Sequence, residues 1–153
     1  MTPYSRLAEM GLTLPDPAAP KGAYFPSRLC GSQIWVSGTT SRQGADPGVL
    51  GVVGGDVTVE QAQAAARTAA LNLLAAIEAA VGIGALTSLL HLRGYVRATT
   101  DFVSHPAVVD GASRLLLDVF GDHVGAHART AIGVASLPGG ACVELELVAT
   151  VAV

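Results

Sequence analysis

The stretch "TVEQAQAAARTAALNLLAAIEAAVG", residues 58–82, restricts the folds open to this chain more than any other. Thr58 followed three residues later by Gln61 is a capping-box signal, and Ala62, Ala66, Ala69, Leu73, Ile77 and Ala80 recur at helical spacing. The pattern predicts a helix over residues 59–81, stopped at Gly82. Residues 68–90 are apolar enough to raise the question of a membrane span. Asn72, Glu78, Gly82 and Gly84 interrupt them before a continuous apolar run of about 20 residues accumulates, so the segment reads as a buried helix of a globular protein. Such a helix needs an apolar surface to lie on.

The remaining patterns supply a sheet. "GAYFPSRLCGSQIWVSGTT" (22–40) reads as two short strands around a turn at Gly31, with Ile34 and Val36 on one face and Trp35 and Ser37 on the other. A glycine-rich loop follows over 42–58, with a possible short strand in "VLGVV"; its glycines match no phosphate-binding spacing and read as a flexible lip. "LLHLRGYVRAT" (89–99) is dense in branched and aromatic residues and reads as a strand. Ser104 is expected to cap a second helix, with Pro106 in its first turn and Gly121 at its end.

Two final strands, 128–136 and 141–152, are joined by "LPGG" and expected to form a hairpin. In the first, Thr130, Ile132 and Val134 alternate with Arg129, Ala131 and Gly133. In the second, Val143, Leu145, Leu147 and Ala149 alternate with Glu144 and Glu146. One greasy face for two helices and a second face carrying charges define an α+β two-layer sandwich. At 153 residues a single domain over 1–153 is expected, with residues 1–21 an irregular arm because 10–22 are rich in proline and small residues.

Composition narrows the partners. Half of the residues are hydrophobic, 14% are charged, and the mean hydropathy is +0.48, which favours an oligomer that buries part of its surface. Net charge is −3 with nine scattered Lys and Arg, so no basic stripe is present to bind a phosphate backbone. Cys30 and Cys142 lack metal-ligand or redox spacing, and the N-terminus lacks the profile of a secretory leader. A cytoplasmic, disulfide-free protein without a membrane anchor is expected. His123 and His127 are four apart, a spacing that suits a metal on a helix, but Gly121 and Gly125 read as loop, so no metal is expected.

The charge that stands out is Arg129, two residues into a small, apolar strand. In the hairpin register it would lie about four residues, roughly 13 Å, from Glu144 along the sheet, so the two would not pair within the chain. Each would then need solvent, another subunit or a ligand to complete it.

"GAY" (22–24), "WVSGT" (35–39), "TAALNLLAAIEAAVG" (68–82), "ARTAIGVASLP" (128–138) and "VELELVATV" (143–151), in this order and spacing, resemble the YjgF family of reactive-intermediate imine/enamine deaminases, once labelled L-PSP endoribonucleases. "MGLTLP", "HPAVVDGAS" and "GAHART" resemble a longer branch with an added N-terminal arm. The resemblance implies a chorismate-mutase-like fold with a mixed sheet. It also implies a homotrimer whose sheets form a barrel with clefts between subunits.

It further implies hydrolytic deamination of a carboxylate-bearing imine or enamine without a cofactor. Arg129 would grip the carboxylate, Glu144 would orient or activate water, and Tyr24 and Ser37, with Gly38 beside it, would hydrogen-bond substrate or water. Ala131 stands where a cysteine is frequent, and its backbone carbonyl would meet the substrate nitrogen. Asp110 stands where an asparagine lines the cleft in many members; a carboxylate there would repel an acidic substrate or pair with an amino or hydroxyl group of a larger one. His127 and Trp35 share strand parity with Arg129 and Ser37 and are candidate walls of the cleft. The alternatives are a non-catalytic trimer that binds small carboxylates, a pathway-specific deaminase or cyclase, and, against the acidic balance, an endoribonuclease.

Overall fold

The computed structural model describes residues 1–152. A five-stranded mixed sheet is covered on one face by two long helices. The elements in chain order are α1 (Pro3–Glu9), β1 (Ser27–Cys30), β2 (Gln33–Thr39), α2 (Val59–Ala80), β3 (Leu86–Arg97), α3 (His105–Gly125), β4 (Ala128–Val134) and β5 (Val143–Val151). The sheet order is β1-β2-β5-β3-β4, with β3 and β4 parallel and every other pair antiparallel. The expected α+β two-layer architecture is therefore present.

Helix α2 starts where the sequence places it, with Thr58 accepting from the Gln61 amide and the Gln61 side chain returning to the Thr58 amide. Its apolar stripe, including Ala66, Ala69, Leu73 and Ile77, is fully buried on the sheet. Small residues let the two helices approach closely: the α-carbon of Gly111 on α3 lies against the backbone of Gln63 on α2, where a Cβ would collide with the Gln63 carbonyl. The sheet contributes Ile34, Val36, Leu92, Val96, Leu145 and Leu147 to the same core. No helix among the described residues is long and apolar enough to cross a membrane.

The expected β4–β5 hairpin does not form. Strand β5 inserts between β2 and β3, pairing Trp35 with Val148 and Tyr95 with Glu144, while β4 lies at the sheet edge, pairing Arg129 with Leu92. The "LPGG" segment becomes a 3-10 turn, Pro138–Gly140, with Gly139 and Gly140 at positive φ. The physical reason is burial. Val143, Leu145, Leu147 and Ala149 are essentially inaccessible and demand a central position, whereas β4 is partly exposed on both faces. A β–α–β crossover through α3 then makes β4 parallel to β3.

Four other expectations are corrected. Residues 3–9, within the supposed irregular arm, form α1, capped by Thr2 and Ser5 and started by Pro3. The helix is pinned to the body by Tyr4 Oη donating to Glu78 (2.9 Å) and by Leu7, which is buried. Ser104 makes no capping hydrogen bond, and α3 does not stop at Gly121: that residue, at φ 71°, kinks it, and a last turn continues to Gly125. "VLGVV" forms isolated bridges rather than a strand, and Val53 and Val57 are buried, so this loop is anchored to the core.

Candidate functional site

The residues singled out by sequence separate into two groups on opposite faces of the sheet. On β4, Arg129, Ala131 and Gly133 face the helices. Arg129 Nη1 donates to Asp110 Oδ1 (2.7 Å) and to Ser113 Oγ (3.2 Å), both on α3, and Gly133 lies beneath the imidazole of His105. Thr130, Ile132 and Val134 take the open face. The alternation was legible, but the expectation that Arg129 would share a face with Glu144 is reversed. Ile132 looked like a core residue, yet on an edge strand it is 45% exposed.

Around Arg129 the sequence expectation of an unpaired charge is also corrected, since Asp110 is its partner within the chain. Asp110 Oδ2 also lies 3.8 Å from Arg114. The Nε and Nη2 donors of Arg129 have no hydrogen-bond partner among the described residues. His127 Nε2 lies 3.0 Å from Ser113 Oγ and Nδ1 lies 2.7 Å from the Gly125 carbonyl. Arg129, Ser113 and His127 border a cavity of about 360 Å3, completed by Leu117 and Ala126. His123 sits on the last turn of α3 rather than in a loop, and no cluster of three or more metal-ligating side chains occurs among the described residues.

The second group gathers where β2 meets β5. One extra residue in β2, between the pairs Val36–Leu147 and Thr39–Leu145, makes a bulge at Ser37–Gly38. Such bulges re-aim side chains. Here the bulge seats the Glu144 carboxylate directly against the α-carbon of Gly38, where a Cβ would collide with Oε1. Burial, followed by the negative charge of Glu146, pushes the Glu144 carboxyl above its ordinary range. Ser37 Oγ donates to the Phe25 carbonyl (2.7 Å), which leaves its lone pairs to accept. Tyr24, Ser37 and Gly38 border a hollow of about 50 Å3 on the α2 side of the bulge, closed by Ala18, Ala19 and Pro20 of the N-terminal segment and by Asn72 and Ala76 of α2; Glu144 does not line it. Trp35 lies on the open face with Ser37 and is 46% exposed.

Beside Glu144, Glu146 Oε1 accepts from Arg93 Nη1 (2.8 Å) and Tyr95 Oη (2.9 Å). Burial and the Glu146 carboxylate together raise the Tyr95 hydroxyl above its usual value. Sequence reasoning passed over this trio and Ser113. The signals were present: Arg93, Tyr95 and Arg97 alternate along β3, and Ser113 stands three residues after Asp110, on one helical face.

A family model described as "YjgF/chorismate_mutase-like, putative endoribonuclease" matches residues 4–150. Protein TCP17 of Trypanosoma cruzi is 38% identical over 143 residues, which cover 93% of this chain and 89% of that protein. Among solved structures, a protein of unknown function from Agrobacterium tumefaciens superposes with a TM-score of 0.90 at 36% identity, covering 99% of this chain and 94% of its own. A "putative endoribonuclease" from Shewanella oneidensis MR-1 gives 0.94 at 34% identity, covering 99% and 100%.

Proposed function

The chain belongs to the YjgF/chorismate-mutase-like family, and from that premise we propose that it hydrolyses a carboxylate-bearing imine or enamine to a carbonyl compound and ammonia, in clefts between the subunits of a homotrimer. The observation that carries the reading is the separation of its two halves. Arg129 and Glu144 lie on opposite faces, about 10 Å apart across the strands and about 10 Å along them. One chain alone cannot close both on a small molecule. A second copy, laid against the open face that exposes Trp35 and Ile132, can set its own Arg129 half beside the first copy's Glu144 half.

In that cleft the free donors of Arg129 take the carboxylate, which a planar guanidinium orients as well as neutralises. The enamine first takes a proton from solvent at its carbon and becomes the iminium ion. Glu144 then removes a proton from a water molecule as its oxygen attacks the iminium carbon, which gives a neutral amino-alcohol. Glu144 returns that proton to the nitrogen, the carbon–nitrogen bond breaks to release ammonia, and the hydroxyl gives up its proton to solvent as the carbonyl forms. Tyr24 and the accepting oxygen of Ser37 would hydrogen-bond substrate or water from the hollow beside the Gly38 bulge, and the Ala131 carbonyl would accept from the substrate N–H. The scheme requires positioning and one base with an elevated proton affinity, and no covalent intermediate.

The endoribonuclease in the names of several relatives asks for a cationic surface that a net charge of −3 does not supply. The test is release of ammonia and a 2-oxo acid from a 2-imino acid generated in place. A wild-type rate above the uncatalysed one that disappears in Glu144→Gln supports the reading. Tight carboxylate binding without acceleration would instead establish a binding protein.

A further inference from the structure

His127 immediately precedes β4, and its ring is held at both nitrogens. A carbonyl oxygen can only accept, so the 2.7 Å contact to Gly125 requires the hydrogen on Nδ1. In the neutral ring Nε2 is then bare, and the hydroxyl of Ser113, 3.0 Å away, must donate to it. With its hydrogen committed to the ring, Ser113 Oγ presents only lone pairs to Arg129 Nη1 at 3.2 Å. One backbone carbonyl thereby fixes the direction of each hydrogen bond as far as the guanidinium.

We propose that His127, acting through Ser113, is a positioning residue for the Arg129 anion site and makes that site hold a small carboxylate more tightly when the imidazole is protonated. This rests on Arg129 as a carboxylate anchor and adds a regulation to it. A proton passes from hydronium to Nε2, leaving water, and displaces the Ser113 hydrogen from that nitrogen. The ring becomes a donor to Ser113 Oγ, and the serine hydrogen is released from its former acceptor. Ser113 borders the same cavity as Arg129, so its O–H is free to turn toward an anion there.

The charged groups around His127 set the sign of the effect. Arg129 on β4 faces the Ser113–His127 pair, and on α3 Asp110 pairs with Arg129 while also lying near Arg114. Asp122 and His123, on the last turn of α3, are exposed to solvent. Protonated His127 and Arg129, with Arg114 nearby, face a single carboxylate, the partly exposed Asp110, and so leave an uncompensated positive charge. A bound carboxylate removes it, so anion binding and imidazole protonation favour each other, and by equal factors.

The test uses the full chain and pyruvate, whose carboxylate stays ionised throughout the range. Calorimetry between about pH 8 and about pH 6 should show affinity rising at least about fivefold as pH falls, the size expected of one added charge a few Å away. His127→Gln supplies an amide oxygen that accepts the Ser113 hydrogen but does not titrate. It should lose the rise on acidification. Ser113→Ala should flatten the dependence too. Nitrogen-15 spectra of the His127 ring, assigned by their loss in His127→Gln, should show the Nδ1–H form at alkaline pH. An Nε2–H form there, or an undiminished pH slope in His127→Gln, overturns the proposal alone. Failure to bind pyruvate at any pH overturns it together with the carboxylate-anchor reading.

Discussion

Arg129 and Glu144 stand on opposite faces of one sheet, on strands separated by β3, and among the described residues the side-chain partners of Arg129 are Asp110 and Ser113. A guanidinium and a carboxylate so disposed would meet one small substrate only across a contact between copies, as the proposed trimer requires. Light scattering at micromolar concentration should therefore return three times the 15.4 kDa chain mass. A monomer would leave each half-site without its second wall and remove the proposed cleft.

Arg129→Ala should lower kcat/KM for 2-imino acids by at least about a hundredfold, and Arg129→Lys should recover little, because an ammonium cannot reproduce the planar two-bond grip. The pair with Asp110 is partly solvent-exposed, so the fold should lose no more than about 1 kcal/mol. Steady-state kinetics and thermal unfolding of the same preparations separate the two effects.

Asp110→Asn removes a negative charge that directly bonds the Arg129 guanidinium. The neutral amide still accepts from Nη1, so orientation survives while the net positive charge rises. Carboxylate affinity should increase by about threefold to tenfold, less at high salt. Equal KM values for wild type and variant across small imino acids would show that Asp110 has no electrostatic effect on the substrate.

Glu144 carries a carboxyl that burial and Glu146 hold above its ordinary range. An acid raised by the fold binds its proton more tightly folded than unfolded. The native state therefore loses stability as pH rises from the ordinary carboxylate value through the elevated one. Glu144→Gln should accordingly melt at a higher temperature than wild type at neutral pH, with the difference vanishing in acid below the ordinary range. A difference in Tm that does not vary with pH would count against the elevated proton affinity.

Gly111→Ala should destabilise the protein by about 1–3 kcal/mol, because its Cβ would meet the backbone of Gln63 rather than a movable side chain. Chemical denaturation measures this directly. Gly38→Ala should be milder in stability but should displace the Glu144 carboxylate, a flexible group, and so reduce turnover.

What could be read from the sequence was local. The Thr58–Gln61 cap and the alanine-leucine stripe give α2 because both signals act within a few residues, and the alternation at Ile34, Trp35 and Val36 assigns the two faces of β2 for the same reason. The cap of α1, Thr2-Pro3-x-Ser5, is equally local, but the proline-rich residues after it drew the reading toward an irregular arm. Arg129 and Glu144 stand out as charges on strands of small and apolar residues, and the resemblance to the YjgF family adds Tyr24 and Ser37 as candidates.

Only the tertiary structure decided which strand lies beside which. A period-two pattern is satisfied by any neighbour with a complementary face, so "LPGG" could equally close a hairpin or step across the end of β3. Burial of β5 on its helix-facing side resolves that choice, and β4 is left at the edge. From this placement follow the turning of Arg129 toward α3, its union with Asp110 and Ser113, and its separation from Glu144. These depend on contacts between segments 16 or more residues apart, whose free energy is settled by the packing of the whole core rather than by any short run of sequence.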